Sequence, residues 1–288
     1  MTGILLLAIG HKNYYEMACN LAISIGKGVN ITLAWHGFNP IGDKKAHLFD
    51  NFIKIPTEYI TKNGEIKPFR AKTQLHKITP YQNTLYFDVD LLFFAANNPN
   101  LGIKPLLEEL KNAPFTIGNW GEEVLVKDKK PMHNNAWAKT TEVADAYDLW
   151  GKAYNPTHSE VIWFKKTQEN LQLFELATEI FDSPKVKTWN FAGDVPDEFA
   201  FNVALSVLGI KPHKDKWRPF WWVNSDRKMP WADVVNQKLG VSMAGNKHNP
   251  ETINKYNIIL KYAAQKAGID NFYKFRSKKE WLKERATI

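Results

Sequence analysis

The chain has 288 residues, of which 44% are apolar and 24% charged, so it is long enough for one large α/β domain or two small ones, and wholesale disorder is excluded. Cys19 is the only cysteine, which excludes an intrachain disulfide and a cysteine-based zinc site, and we expect it to be a small core residue. The formal net charge is +8, and residues 211–228 and 272–288 each carry six Lys or Arg against two acids. Such basic segments suit polyanions (nucleotide diphosphates, nucleic acid or acidic lipid headgroups) or form a solvated face that aids solubility.

The first half of the chain alternates between strand and helix patterns. The run at residues 4–9 is too short for a membrane span and lacks the basic start of a signal peptide, so we expect a buried strand in a cytoplasmic protein with no membrane span. Alternation of this kind predicts a mostly parallel sheet with covered faces. The predicted strands are residues 4–9, 30–35, 52–55 and 84–94, and the predicted helices are residues 14–25 and 69–78.

The second half is less regular. Strands are predicted at residues 115–119 and 160–164, and helices at 171–181 and 198–208, with Gly209 at the position of a C-terminal helix stop. Asn249-Pro250-Glu251 supplies a cap, a first-turn proline and an acidic first turn for a last helix, which Gly268 closes. We predict one domain over residues 1–268, followed by a basic C-terminal extension over residues 269–288.

Two carboxylates interrupt the most apolar segment of the chain. Asp88 and Asp90 stand among ten residues, 85–94, that are otherwise apolar or aromatic. An ionised carboxylate in a core is costly unless it is paired or bound to a cation, and the carboxyl edge of a parallel sheet is where ligands bind in open α/β folds. On a continuing strand, residues i and i+2 point to the same side, so both carboxylates could hold one Mg²⁺ or Mn²⁺. The structural alternatives are that both aspartates pair with Lys or Arg, or that they simply terminate the strand.

The residues around this pair resemble the GT-A glycosyltransferases, in the style of the family-8-like and capsular-polysaccharide-type enzymes. The resemblance rests most specifically on residues 72–90, where a helix with a basic residue leads through Pro80-Tyr81 into a strand and the Asp88-Val89-Asp90 motif. Residues 8–15, 193–202 and 243–248 are similar to the family's first strand and nucleotide loop, its acidic helix start, and the late segment with a metal-binding histidine. It implies a GT-A fold, a Rossmann-like and mostly parallel sheet flanked by helices, with a C-terminal helical extension.

This resemblance implies a hexosyltransferase-like enzyme that takes a nucleotide-diphosphate sugar, UDP-sugar favoured, and retains anomeric configuration. The implied cofactor is Mn²⁺ or Mg²⁺ on Asp88, Asp90 and His248, a histidine that could equally be a surface loop residue. Donor contacts are expected from Ile9, Gly10, His11, Tyr14, Asp88 and Val89. Thr157-His158-Ser159 stands in place of the family's Asn-Ser-Gly-type strand, which predicts a different acceptor subsite.

Further candidates come from charge and aromatic patterns. Asp197 and Glu198 open a helix, where acids are favoured electrostatically or could act at the anomeric carbon or the acceptor hydroxyl. Lys255, near a helix N-terminus, could reach a diphosphate. Arg70 and Lys72 could hold the donor or be solvated helix residues. Trp217, Trp221 and Trp222 lie among basic residues, a pattern that suits stacking on acceptor sugars or bases, or a hydrophobic lid.

Three classes of function stay open on the sequence. The first is a glycosyltransferase that acts on a saccharide or small acceptor. The second is a glycosyltransferase whose acceptor is nucleic acid such as a modified DNA base, which the two basic segments favour. The third is a haloacid-dehalogenase-type phosphatase or a non-catalytic nucleotide-binding module, since those phosphatases also place Asp-x-Asp after an apolar strand.

Overall fold

A computed structural model describes residues 1–94, 102–128, 137–189, 194–223, 231–243, 250–266, 268–270 and 272–275. Its strands are β1 (Thr2–Ile9), β2 (Ile31–His36), β3 (Asn51–Lys54), β4 (Thr61–Lys62), β5 (Glu65–Ile66), β6 (Asn83–Phe87), β7 (Leu91–Phe93), β8 (Phe115–Asn119), β9 (Glu123–Val124), β10 (Ala153–Tyr154), β11 (Thr157–Lys165), β12 (Phe220–Trp222) and β13 (Gly240–Ser242). Its helices are α1 (Lys12–Ile25), α2 (Arg70–Thr73), α3 (Leu75–Ile78), α4 (Ile103–Leu110), α5 (Thr140–Tyr147), α6 (Gln168–Asp182), α7 (Asp197–Leu208), α8 (Trp231–Gln237) and α9 (Pro250–Lys266).

The central sheet has six strands in the order β3-β2-β1-β6-β11-β8 and is mostly parallel, as the strand–helix alternation predicts. β11 runs antiparallel to both of its neighbours. Its pairing with β8 shifts register between His158 and Ile162, so the residues between them form an irregular stretch beside β8. Ile4, Leu5 and Leu6 of β1 are fully buried, as expected for a strand covered on both faces.

The prediction of one strand over residues 84–94 is wrong. β6 ends at Phe87, the chain turns through Asp88-Val89-Asp90, and β7 then joins a separate three-stranded sheet of order β12-β13-β7. The predicted helix at residues 69–78 is likewise divided into α2 and α3 at Gln74. The two aspartates therefore lie in a turn, and the strand argument for their common direction does not apply to them.

Contacts divide the chain into two compact units. The first comprises Met1–Leu5, Ile53–Phe87 and Asn112–Arg218, and the second comprises Leu6–Phe52, Asp88–Lys111 and Pro219–Ile288. The predicted boundary after residue 268 stays a prediction. Among the parts of the chain given above, no helix has the length and apolarity to cross a membrane.

In the first unit, α6 packs against α7, and α2 packs against both helices. Phe174 of α6 contacts Phe164 of β11 and Phe201 of α7, with ring centroids 4.8 and 5.5 Å apart. α7 ends where the sequence predicts, at Gly209 in the left-handed conformation. These apolar contacts pack α6 against α7 and against the C-terminal end of β11.

In the second unit, α1 packs against α9 and β7. Cys19 of α1 is fully buried, which confirms its place in the core. The helical spacing of α9 predicts one apolar face, of which Ile253 is half-buried and the rest is buried: Tyr256, Ile259, Leu260 and Ala263. After α9, two asparagine side chains hold the chain by hydrogen bonds to its backbone. The Asn20 amide bonds both the N–H and the C=O of Tyr273, and the Asn257 amide bonds both groups of Phe275.

Candidate active site

The Asp88-Val89-Asp90 turn lies in the second unit, directly after β6. The Leu91 N–H donates to the Asp88 carbonyl at 3.4 Å, and the Met243 N–H donates to the Asp90 carbonyl at 3.3 Å. Val89 is buried and Asp90 is only 9% exposed, whereas Asp88 is half-buried. Burial raises the pKa of the Tyr256 phenol, and the Asp90 carboxylate raises it further. The turn thus fixes two carboxylates of different exposure within four residues of each other.

The loop after β1 closely approaches the backbone that follows β2. The Gly10 N–H donates to the His36 carbonyl at 2.9 Å, and Gly10 and Gly37 both have a positive φ. A Cβ on Gly37 would lie 2.9 Å from the Gly10 carbonyl oxygen, so only glycine leaves this crossing open. His11 caps α1, its Nδ1 accepting from the Asn13 N–H at 3.2 Å. Ile9 is buried and Tyr14 half-buried.

Other predicted residues of the second unit are more exposed. Lys255 makes an ion pair with Glu251 at 2.7 Å, one turn away on α9. Trp221 and Trp222 are half-buried in β12. His248 lies outside the described residues, and the structure tests nothing about it. Within the parts of the chain that are described, no group of three or more His, Cys, Asp or Glu residues is placed to hold a metal ion.

A buried polar cluster lies in the first unit at the start of α7. Ser159 of β11 donates its hydroxyl hydrogen to Asp197 and accepts from the Lys72 ammonium at 3.1 Å. The Lys72 ammonium is 3.3 Å from Asp197 Oδ2, and the two side chains are 11% and 6% exposed. Lys72 is therefore not a solvated helix residue. A buried ion pair with this additional hydroxyl bond fixes the orientation of the Asp197 carboxylate.

Glu198 adjoins this ion pair. Its carboxylate accepts a hydrogen bond from the Trp137 indole N–H. Burial raises the pKa of Glu198 to about 8, and the charge of Asp197 contributes to the rise. At neutral pH, Glu198 is consequently mostly protonated, which makes it a hydrogen-bond donor. The two adjacent acids thus have different electrostatic states: Asp197 is paired with Lys72, whereas Glu198 keeps its proton.

Arg70 belongs to the same unit and has a structural partner. Its Nε and Nη2 donate to the two carboxylate oxygens of Asp182, both at 2.8 Å, and its Nη1 donates to the Glu58 carbonyl at 2.7 Å. This two-pronged pair ties α2 to the end of α6. Arg70 is therefore not a solvated helix residue, which was one of the two alternatives that the sequence left open. Its role in donor binding stays a prediction.

Local sequence patterns predict no catalytic or binding role for Ser159 or Trp137. The signal for Ser159 was present, because Thr157, His158, Ser159 and Glu160 form a polar run ahead of an apolar one. All four are buried, and His158 Nδ1 lies 3.4 Å from Glu160 Oε1. Trp137 follows no pattern that points to Glu198, and only the folded chain brings the two together.

The order of strands and helices, and the sheet they form, define the GT-A glycosyltransferase fold. The galactosyltransferase LgtC, solved in complex with donor and acceptor sugar analogues, is similar over 99% of this chain and 100% of its own, with a TM-score of 0.56 and 13% identity. An active-site mutant of LgtC is similar over 92% of this chain and 96% of its own, with a TM-score of 0.54 and 13% identity.

The bifunctional glycosyltransferase WbbM is also similar, with a TM-score of 0.52 and 12% identity over 90% of this chain and 51% of its own length. Neither a protein-family model nor a curated protein matches the sequence. At these identities the likeness establishes the fold, and the chemistry must be argued from the residues of this chain.

Proposed function

We propose that this protein is a metal-dependent glycosyltransferase that moves a sugar from a nucleotide-diphosphate donor, UDP-sugar favoured, to an acceptor hydroxyl with retention. The observation that carries the proposal is the Asp88-Val89-Asp90 turn directly after a central strand of a chain with the GT-A fold. The phosphatase and nucleotide-binding alternatives gain no support from the fold, nor does a DNA acceptor.

The donor set of this turn fits a hard divalent cation. Mg²⁺ and related cations take oxygen ligands, and with nucleotide substrates they are held by one or two carboxylates, with waters and phosphate oxygens in the other positions. Asp88 and Asp90 supply two such carboxylates, and Asp88 is accessible enough to reach a ligand from solvent. A bound Mn²⁺ or Mg²⁺ would supply charge neutralisation for the departing diphosphate. His248 stays the proposed third ligand.

In this proposal the polar cluster of the first unit acts on the sugar and the acceptor. Glu198, protonated at neutral pH, donates a hydrogen bond to an oxygen of the bound saccharide and does not serve as a base. Asp197 is a positioning residue, because Lys72 and Ser159 hold its carboxylate.

A cytoplasmic location of the protein remains part of the proposal.

Hydrolysis of nucleotide sugars tests this function without knowledge of the acceptor. We expect a UDP-sugar to be hydrolysed slowly in the presence of Mn²⁺, and EDTA to abolish the activity. Asp90→Asn should lower the rate on the order of 100-fold, because a metal ligand is lost. Asp148→Asn, at an exposed helix end in the left-handed conformation that asparagine tolerates, is the matched control. Full activity of Asp90→Asn would refute the site.

A further inference from the structure

Beside the polar cluster, the first unit carries a stack of a cation on an aromatic ring. The Arg218 guanidinium lies over the Trp120 indole, 3.6 Å from the ring centroid. Trp120 also contacts His158, whose ring centroid is 6.0 Å away in an edge-on arrangement. His158 is buried and directly precedes Ser159, the residue that bonds Asp197. The stack therefore contacts the residue of β11 that is next in sequence to the cluster to which we assign the acceptor chemistry.

Backbone bonds fix the basic segment that carries Arg218. The His213 N–H donates to the Phe115 carbonyl, and the Asn119 N–H donates to the Trp217 carbonyl, both at 3.0 Å. The buried Asn119 amide also donates to the Lys214 carbonyl at 2.7 Å. Residues 213–217 are thus bonded alongside β8, and the cations of this segment occupy defined positions on the surface.

Lys216 has a left-handed backbone conformation and lies beside a glycine. Lys216 has a φ of +49°, a conformation that a residue with a side chain rarely adopts. Its side chain lies on Gly121, which has a φ of +108°, and a Cβ on Gly121 would come within 2.9 Å of Lys216 Cγ. Strain of this kind is common at ligand-binding positions. Gly121 follows Trp120, so Lys216 and Arg218 flank the same turn of chain.

The charge of this surface is positive. Lys211 is ion-paired with Glu122 at 3.3 Å, and Asp215, one of the two acids of residues 211–228, is next in sequence to Lys214 and Lys216. Lys216 is exposed and Arg218 is half-buried. Stacking engages the face of a guanidinium, and its in-plane N–H groups match the geometry of a carboxylate or phosphate. The Lys216 ammonium is a point charge, so it also attracts an anion but does not fix the orientation of the carboxylate or phosphate.

We propose that the acceptor is an anionic saccharide, whose carboxylate or phosphate group is bound by Arg218 and Lys216 at the Trp120 stack. This inference rests on the proposed function and names its acceptor class. Base stacking next to cations would also suit single-stranded nucleic acid. The saccharide is favoured because His158, which contacts Trp120, directly precedes Ser159 of the buried cluster, and because the Arg218 guanidinium covers a face of the indole on which a base would otherwise stack.

The test compares acceptors that differ only in charge: a neutral oligosaccharide, its uronic-acid counterpart and its phosphorylated counterpart. We expect the protein to transfer sugar to at least one anionic acceptor with a KM on the order of tenfold lower than for the neutral one, the scale of one charge-assisted hydrogen bond. Arg218→Gln should raise the KM for that acceptor by a similar factor and leave kcat and the neutral acceptor nearly unchanged. Whether the uronate or the phosphate responds identifies the group.

Lys216→Asn serves as a second variant, since asparagine tolerates the left-handed conformation, and Lys27→Gln is the control for loss of an exposed cation elsewhere. Equal KM values for neutral and anionic acceptors, or an unaltered KM in both variants, would overturn the inference. A third result would also overturn it: the protein binds an oligonucleotide in a salt-sensitive way, Arg218→Gln weakens that binding, and the protein shows no preference among the saccharides. Donor hydrolysis without acceptor is measured in parallel, because its absence refutes the proposed function instead.

Discussion

Replacing Glu198 by glutamine tests the electrostatics of the cluster at the start of α7. Burial and the charge of Asp197 raise the pKa of Glu198 from 4.5 to about 8. Between these values the folded protein holds a proton that the unfolded chain has released. The free energy of unfolding therefore falls as the pH rises through this window. Stability from this group is complete below pH 4.5 and is lost by about pH 8.

The size of the effect follows from the difference of one proton between the two states. Its slope is at most about 1.4 kcal/mol per pH unit, which gives up to about 3 kcal/mol between pH 5.5 and pH 7.5. Glutamine carries no charge at either pH and can still accept the Trp137 hydrogen bond. Glu198→Gln should therefore lose no stability through this group, so that its free energy of unfolding gains up to about 3 kcal/mol on that of the parent protein between pH 5.5 and pH 7.5.

Urea unfolding at pH 5.5, 6.5 and 7.5 measures this difference, with the midpoint and slope compared for both proteins. Glu169→Gln, which removes an exposed carboxylate in the first turn of α6, is the matched control and should keep the pH dependence of the parent. If Glu198→Gln lost stability between pH 5.5 and pH 7.5 as steeply as the parent, Glu198 would not hold its proton in the folded state.

Further predictions concern the ion pair, the C-terminal segment and the donor. Lys72→Met leaves the buried Asp197 carboxylate uncompensated and should lower the free energy of unfolding by about 3 to 5 kcal/mol in urea, with most of the loss recovered when Asp197→Asn is added. Phe275→Ala removes a buried ring that packs on Tyr256 and should cost about 3 kcal/mol or more, seen as a lower Tm; an unchanged Tm would mean that this segment does not stabilise the fold. UDP should raise the Tm only when Mn²⁺ is present, and an equal shift in EDTA would contradict metal-assisted binding.

Local patterns were sufficient for the first elements and for the nature of the acidic motif. The hydrophobic spacing of α1 and the apolar runs of β1 and β2 predict those elements to within two residues. Two acids in an apolar run predict that Asp88 and Asp90 do not lie in the ordinary apolar core, and in the structure they lie in the turn that follows β6. The catalytic, donor, acceptor and metal assignments stay predictions that the experiments above decide.

The course of the chain after Asp88 was beyond local pattern. Residues 84–94 are one apolar run, yet β6 and β7 belong to different sheets, because β7 finds its partner in β13 near the other end of the chain. A Cβ on Gly240 would lie 1.9 Å from the Leu92 carbonyl oxygen, which shows how closely the two strands approach. Such pairing depends on distant residues, and periodicity within a window carries no information about it.

The sequence by itself determined the alternation of strands and helices, the buried cysteine and the presence of two acids within an apolar run, since each follows from the side chains of neighbouring residues. Only the tertiary structure decided that Lys72, Ser159 and Asp197 form one buried network, and that Trp137 meets Glu198. It also decided the protonation of Glu198, because a pKa depends on burial and nearby charge, and folding sets both.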